Sequence, residues 1–188
     1  MMLRGKICNL KNIKATDAKE ILNWRTSKNV QKNFPSKVSK NLSKHLVWIR
    51  KIIKSKEDKY FIIKKKNDDN IGLCFLSNIN YINRNAEFGY YLSNKKYYGQ
   101  GFSMEAEYMI INYGFETLGL NKIYCENLEN NKNILNVHKK FGFKLDGVKR
   151  EEIFKNNKYI DIYLMSLLKK DYNRYKKKIS GIFNSLYN

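Results

Sequence analysis

The chain has 188 residues, 43% of them hydrophobic, and a net charge of +20 from 37 Lys and Arg against 17 Asp and Glu. That length and apolar content suit one folded domain with a real core and exclude wholesale disorder. A single proline and no Gly/Ser-rich run leave no evident linker, no apolar run can span a bilayer, and Met1 to Lys6 lacks a signal-peptide core, so a cytoplasmic protein is expected.

The lysines are spread along the chain and mixed with asparagine. They permit nucleic-acid contact without forming the dedicated patch it needs. Cys8, Cys74 and Cys125 are far apart, odd in number and set in apolar runs. They read as buried small hydrophobes, with neither a disulfide framework nor a metal spacing, and no metal is expected.

In chain order, Lys6 to Leu10 reads as a first strand. Thr16 and Asp17 can cap a helix with Ala18, Ile21, Leu22 and Arg25 on one face. Asn33-Phe34-Pro35-Ser36 breaks the chain. A second helix carries Leu42, Leu46, Ile49 and Ile53 on one stripe, with His45, Trp48 and Ile52 beside it. Strands follow at Tyr60 to Ile63, Ile71 to Ile79 and Glu87 to Leu92, separated by polar turns.

Phe102, Ala106, Met109, Ile110, Tyr113 and Thr117 give a third helix its core face, and Gly119 ends it. Lys122 to Glu126 is a strand, and Ile134, Val137, His138 and Phe141 mark a helix closed by Gly142. Phe143 to Val148 and a last strand ending near Leu167 form a hairpin. The order predicts an α/β (α+β) protein with a mixed, mostly antiparallel sheet. Residues 169–188 form a basic tail beyond the 1–168 domain, with Tyr172, Tyr175, Ile179, Phe183 and Leu186 near helical spacing and Gly181 weakening a long helix. Such a tail covers the parent domain, pairs with a second subunit as a homodimer, or lies on an anionic membrane.

The stretch that points to chemistry is Tyr97-Tyr98-Gly99-Gln100-Gly101-Phe102-Ser103-Met104. Two glycines before a helix let the backbone approach a ligand and aim free N–H groups at one point, with the positive end of the helix dipole behind them. That point suits a pyrophosphate. No Gly-Lys-Ser/Thr follows and a third glycine is missing, so neither a P-loop nor a dinucleotide fingerprint is present.

Taken together, Tyr98-Gly99-Gln100-Gly101-Phe102-Ser103, Glu87-Phe88-Gly89-Tyr90-Tyr91-Leu92, and Asn131 followed by Phe141-Gly142-Phe143 resemble the GNAT superfamily of acetyl-CoA-dependent N-acetyltransferases. The resemblance spans roughly Lys6 to Leu168. Tyr97 stands where the family's Gln or Arg is usual, and Ser103 replaces its last Gly or Ala. Trp24-Arg25, His45-Leu46 with Trp48-Ile49, and Tyr60 to Ile63 are similar to the aminosugar N-acetyltransferases of pseudaminic-acid synthesis. Protein N-acetyltransferases, ribosomal or N-terminal, and a basic binding module without turnover are the rival readings.

The resemblance implies acetyl-CoA as donor and a nucleotide-linked aminosugar, of the UDP-4-amino-4,6-dideoxy type, as acceptor. It implies pyrophosphate contacts from Tyr98, Gly99, Gln100, Gly101, Phe102 and Ser103, and pantetheine contacts from Tyr90, Tyr91 and Leu92. Asn131 offers an amide to the arm or caps its helix. Glu87 is the expected base, against the reading of a solvated strand carboxylate, with His45 as the alternative. His138 stands where many members place a tyrosine acid; it protonates the thiolate, or it packs while Tyr90, Tyr91 or water does so. Trp24, Arg25 and His45 are the expected acceptor contacts.

Overall fold

The computed structural model describes residues 1–35 and 37–186, without the side chains of 178 and 182–186. Ser36 and the side chains of Phe183 and Leu186 named above lie outside them. The elements are β1 (Met2–Arg4), β2 (Cys8–Asn12), α1 (Ala18–Thr26), α2 (Lys28–Gln31), α3 (Leu42–Lys54), β3 (Lys59–Lys65), β4 (Asn70–Asn80) and β5 (Asn85–Leu92). They continue as α4 (Phe102–Asn112), β6 (Lys122–Leu128), α5 (Lys132–Lys140), β7 (Lys144–Lys155), β8 (Lys158–Leu168) and α6 (Lys169–Leu186). The strands make one sheet in the order β1-β2-β3-β4-β5-β6-β8-β7. All neighbours are antiparallel except β5 and β6.

The two faces of the sheet are covered by different helices. α4, α5 and α6 close the main core, in which Phe61, Leu76, Phe88, Ile110, Phe141 and Tyr172 are buried. α1 and α3 close the other face around Ile21, Ile49, Ile62 and Leu73. The tail packs on the parent domain: Tyr172 and Ile179 are buried in its core, and the Tyr172 hydroxyl bonds Asn112 at 3.1 Å. α6 runs through Gly181 without a break, because packing of its inner face outweighs a glycine penalty of about 1 kcal/mol.

Several sequence expectations need correction. The first core strand is Cys8–Asn12, and Lys6 and Ile7 belong to the bend after the unforeseen β1. There Glu105 of α4 accepts the N–H groups of Lys6, Ile7 (2.9 Å) and Cys8 (2.8 Å), which explains a buried carboxylate at the start of an apolar helix. Thr16 and Asp17 lie in a 3-10 turn before α1, where Asp17 accepts the Lys14 N–H at 2.7 Å. α2 was not foreseen; the Ser27 hydroxyl caps it through the Val30 N–H.

On α3 the buried line is His45, Ile49 and Ile52, while Leu42 and Ile53 are exposed. Both lines share Ile49, and packing over Ile62 and Leu73 chose between them. The third helix is α-helical only to Asn112; Tyr113–Thr117 winds on as a π turn closed by Leu118 N–H to Tyr113 O. Gly119 (φ 67°) and Gly142 (φ 91°) end their helices as expected.

Candidate active site

The sheet is split at its centre. β5 and β6 pair only at Asn85–Lys122, Ala86–Ile123 and Glu87–Tyr124. Beyond Glu87, β5 follows β4 to Leu92, while β6 follows β8 to Leu128. The facing edges at 88–92 and 125–128 therefore diverge, with main-chain groups left for an extended, peptide-like guest.

The glycine turn sits at the open end of that split. Asn94 caps the 3-10 turn Lys95–Tyr97, and the Gln100 side chain donates to Lys96 O at 2.6 Å. Gly99 (φ 74°) and Gly101 (φ 83°) take the left-handed conformation. Gly101 caps α4 without a side-chain bond, so the N–H groups of the first helical turn remain unspent. A Cβ on Gly99 would meet nothing within 4 Å. This open, amide-lined corner fits a pyrophosphate. Tyr97, in place of the family's Gln or Arg, packs edge-on against Phe102, and Tyr98 accepts from Asn29 at 3.0 Å. Asn131 sits at the N-cap of α5 by its backbone, but its side chain makes no cap bond, so the amide stays available to the split.

Side chains on β5 alternate between the two faces. On the α1–α3 side, Glu87 opens into a cleft of about 350 Å³ walled by Trp48, Tyr60 and Phe75, with Asp58 and Lys51 at its margin. Tyr60 and Phe75 stack at 4.7 Å and Trp48 meets Tyr60 edge-on at 5.7 Å. Gly89 makes room for this wall: a Cβ there would lie 2.4 Å from the Phe75 ring. The Arg25 guanidinium lies 4.2 Å over the Trp48 ring, and His45 packs on the same ring at 5.0 Å. Lys155 ties the β7–β8 hairpin to the turn after α2 by donating to Gln31 O, Lys32 O and Phe34 O at 2.9–3.1 Å.

Burial raises the Glu87 carboxyl above the usual carboxylate range, partly offset by the Asn78 amide at 2.9 Å. Burial, then Arg25, lowers His45 to about 4, and its Nε2 is buried without a partner. His45 is thus neutral near pH 7 but a feeble proton acceptor, which favours Glu87 as the base.

On the opposite side, His138 is 2% exposed and bonds Glu107, 0% exposed, through Nδ1 at 2.7 Å. Phe143 (5.1 Å), Phe88 (5.7 Å) and Tyr90 (6.3 Å) wall its ring, and the Cys125 thiol of β6 faces it. Burial alone depresses His138; Glu107 and Cys125 reverse this and raise it to about 10. Tyr90, near Ser103 and Glu107, is raised well above a normal phenol by burial first and Glu107 next.

Glu87 and His138 therefore do not share one cavity; they lie on opposite faces of β5, and His138 touches Phe88, the neighbour of Glu87. Arg25, His45 and Trp48 come together near the cleft, whereas Trp24 packs into the α1–α3 core. Sequence reasoning missed Glu107, Asp58, Tyr60 and Phe75 as site residues. For Glu107 the signal was a carboxylate between Ala106 and Tyr108 in an apolar helix.

Residues 8–144 match the family model of the acetyltransferase (GNAT) domain. An uncharacterized N-acetyltransferase p20 from Bacillus licheniformis is 32% identical over 120 residues, 64% of this chain and 67% of that protein. The spermidine N(1)-acetyltransferase of Vibrio cholerae is 26% identical over 163 residues, 87% and 94% of the two chains. The crystal structure of the Vibrio cholerae spermidine N-acetyltransferase with CoA and spermine superposes with a TM-score of 0.84 at 25% identity, covering 90% of this chain and 99% of that one.

Proposed function

This chain belongs to the GNAT acetyltransferase family, uses acetyl-CoA as donor, and we propose that it acetylates a primary amine held against Glu87. Acetyl-CoA supplies an activated acetyl thioester. The backbone from Gly99 to Met104 holds the pyrophosphate, and the edges at 88–92 and 125–128, with Asn131, hold the pantetheine arm. Glu87 takes the proton that the amine arrives with. His138 donates a proton to the leaving sulfur.

For the acceptor we favour a small molecule with an amine at one end and anionic groups at the other, as in a nucleotide-linked aminosugar. One observation carries this reading. Two cations stand at the Trp48 side of the cleft: Lys51 lines it, and Arg25 lies over the Trp48 ring, with no acidic residue in the sequence between Glu20 and Glu57 to neutralise them. Arg25 also stacks on Trp48 with no carboxylate bound to it among the described residues. Arg25 and Lys51 can meet a diphosphate at that side, and the aromatic wall suits a base or sugar face. A cytoplasmic location follows from that substrate pair. The second reading is a polyamine acceptor, favoured by the spermidine acetyltransferases among its relatives and by the Asp58 and Glu87 carboxylates in the cleft.

The test follows thiol release from acetyl-CoA with a UDP-4-amino-4,6-dideoxy sugar, spermidine, or free-amine peptides in parallel. Turnover on the sugar at ten times or more the kcat/KM of spermidine supports the favoured reading. The reverse ratio makes the enzyme a polyamine acetyltransferase, and turnover on peptides alone makes both readings wrong.

A further inference from the structure

We infer that Glu107 is a positioning residue for the transfer: its carboxylate holds the His138 ring by Nδ1 and leaves Nε2 as the atom that delivers a proton to the leaving sulfur. The inference rests on the reading of His138 as proton donor.

α4 carries two buried glutamates, and stability explains only one of them. Glu105 is spent on three backbone N–H groups of the β1–β2 bend. Glu107 is more deeply buried; it bonds His138 at 2.7 Å and meets the Tyr90 hydroxyl, while its Oε2 has no hydrogen-bond partner. A buried carboxylate and imidazole walled by Phe88 and Phe143 stabilise a fold no better than apolar side chains of the same volume. What the pair does provide is a fixed ring. A carboxylate on Nδ1 dictates that Nδ1 carries hydrogen, fixes the ring plane and stabilises the imidazolium.

The titratable groups that face the ring are Glu107 from α4, Cys125 from β6 and Tyr90 from β5. Glu107 lies at charge-assisted hydrogen-bond distance from Nδ1, 2.7 Å, and the Cys125 thiol also hydrogen-bonds the ring, a contact the leaving sulfur has to displace. The proton balance is simple. As the new C–N bond forms and the C–S bond breaks, the Nε2 proton of His138 goes to sulfur. The imidazole left behind is neutral with hydrogen on Nδ1, and it regains its Nε2 proton from solvent. The surplus amine protons leave through Glu87 and water.

The chain has two histidines, so a titration of 15N-labelled imidazoles by NMR resolves both. In the intact protein one ring should titrate near pH 10, with Nδ1 protonated throughout, and the other near pH 4. In Glu107→Gln the high titration should fall below pH 7. With acetyl-CoA and the acceptor that turns over in the panel above, E107Q should lose about 10- to 100-fold in kcat at pH 8, with KM for acetyl-CoA unchanged. It should recover activity as the pH falls toward 6, which a merely structural defect would not do. H138Q should lose as much, and E107Q added to H138Q should cost nothing further.

If H138Q is inactive but E107Q keeps the wild-type kcat and pH profile, the positioning role is wrong and the donor reading stands. If H138Q has wild-type kcat, the donor reading itself falls. Should E107Q fail to fold, the unmodified protein still decides: a His138 ring titrating at or below 6.5 overturns the inference.

Discussion

The two sides of the sheet treat a buried histidine in opposite ways. On the α1–α3 side, His45 has Arg25 beside it and no carboxylate, and its pKa falls to about 4. On the α4–α5 side, His138 is more deeply enclosed but bonded to Glu107, and its pKa rises to about 10. Burial strips a proton from an imidazole unless a paired anion retains it. The two sides thus divide the chemistry. The acceptor side holds a neutral histidine and a carboxylate able to take a proton, and the donor side holds a cationic ring able to give one.

The strongest way to break this contrast is to remove the base. Glu87→Gln should lower kcat by about 10²- to 10⁴-fold near neutral pH, while His45→Gln changes it less than about threefold. Equal losses in the two variants would move the base to His45. Because burial raises the Glu87 carboxyl, wild-type kcat/KM should decline as pH falls through a value above the usual carboxylate range.

The next effect concerns the glycine turn, which both sides depend on. Gly101→Val places a β-branched residue at φ 83°, a strain of about 1–3 kcal/mol. KM for acetyl-CoA should rise about 10- to 100-fold with the acceptor KM unchanged. Gly89→Val sharpens the contrast from the other side. Its Cβ would collide with the Phe75 ring, so the acceptor KM should rise by about tenfold and Tm fall, from a misfit of about 1–3 kcal/mol.

The smallest effect is on stability, and its sign differs between the two histidines. His138 has a folded pKa above the unfolded one, so its contribution is complete below about pH 6.5 and lost as pH rises through about 10. His45 has a folded pKa below the unfolded one, so its contribution is present above about pH 6.5 and lost as pH falls through about 4. Thermal melts should therefore peak near pH 6.5 and decline toward pH 10 on one side and toward pH 4 on the other. H138Q should flatten the alkaline decline and H45Q the acid one.

Much of this architecture was legible from local signals. The strand–turn–helix around Gly99 and Gly101 announces itself because few residues but glycine take φ near 80°, and alternation in Glu87 to Leu92 fixes which β5 side chains face which way. The order of elements follows from periodicity and from Gly119 and Gly142. What stayed hidden depends on contacts distant in sequence. Nothing near Glu105 reveals that it receives the bend at Lys6 to Cys8, and nothing near Glu107 reveals His138. The choice between Leu42 and His45 for the buried line of α3 was made by Ile62 and Leu73. The Tyr60–Phe75 wall joins two strands through Gly89, a vacancy no single strand displays. The opposite placement of Glu87 and His138 emerges only when the split between β5 and β6 is seen.

That split is the feature on which the chemistry turns, and a crystal structure of the protein with CoA tests it directly. The paired phosphates should lie on the N–H groups from Gly99 to Met104, and the arm should run between the edges at 88–92 and 125–128. The sulfur should reach His138 from one side and the mouth of the Glu87 cleft from the other. CoA bound elsewhere, or β5 and β6 zipped together past Glu87 with the sulfur remote from both residues, would contradict it.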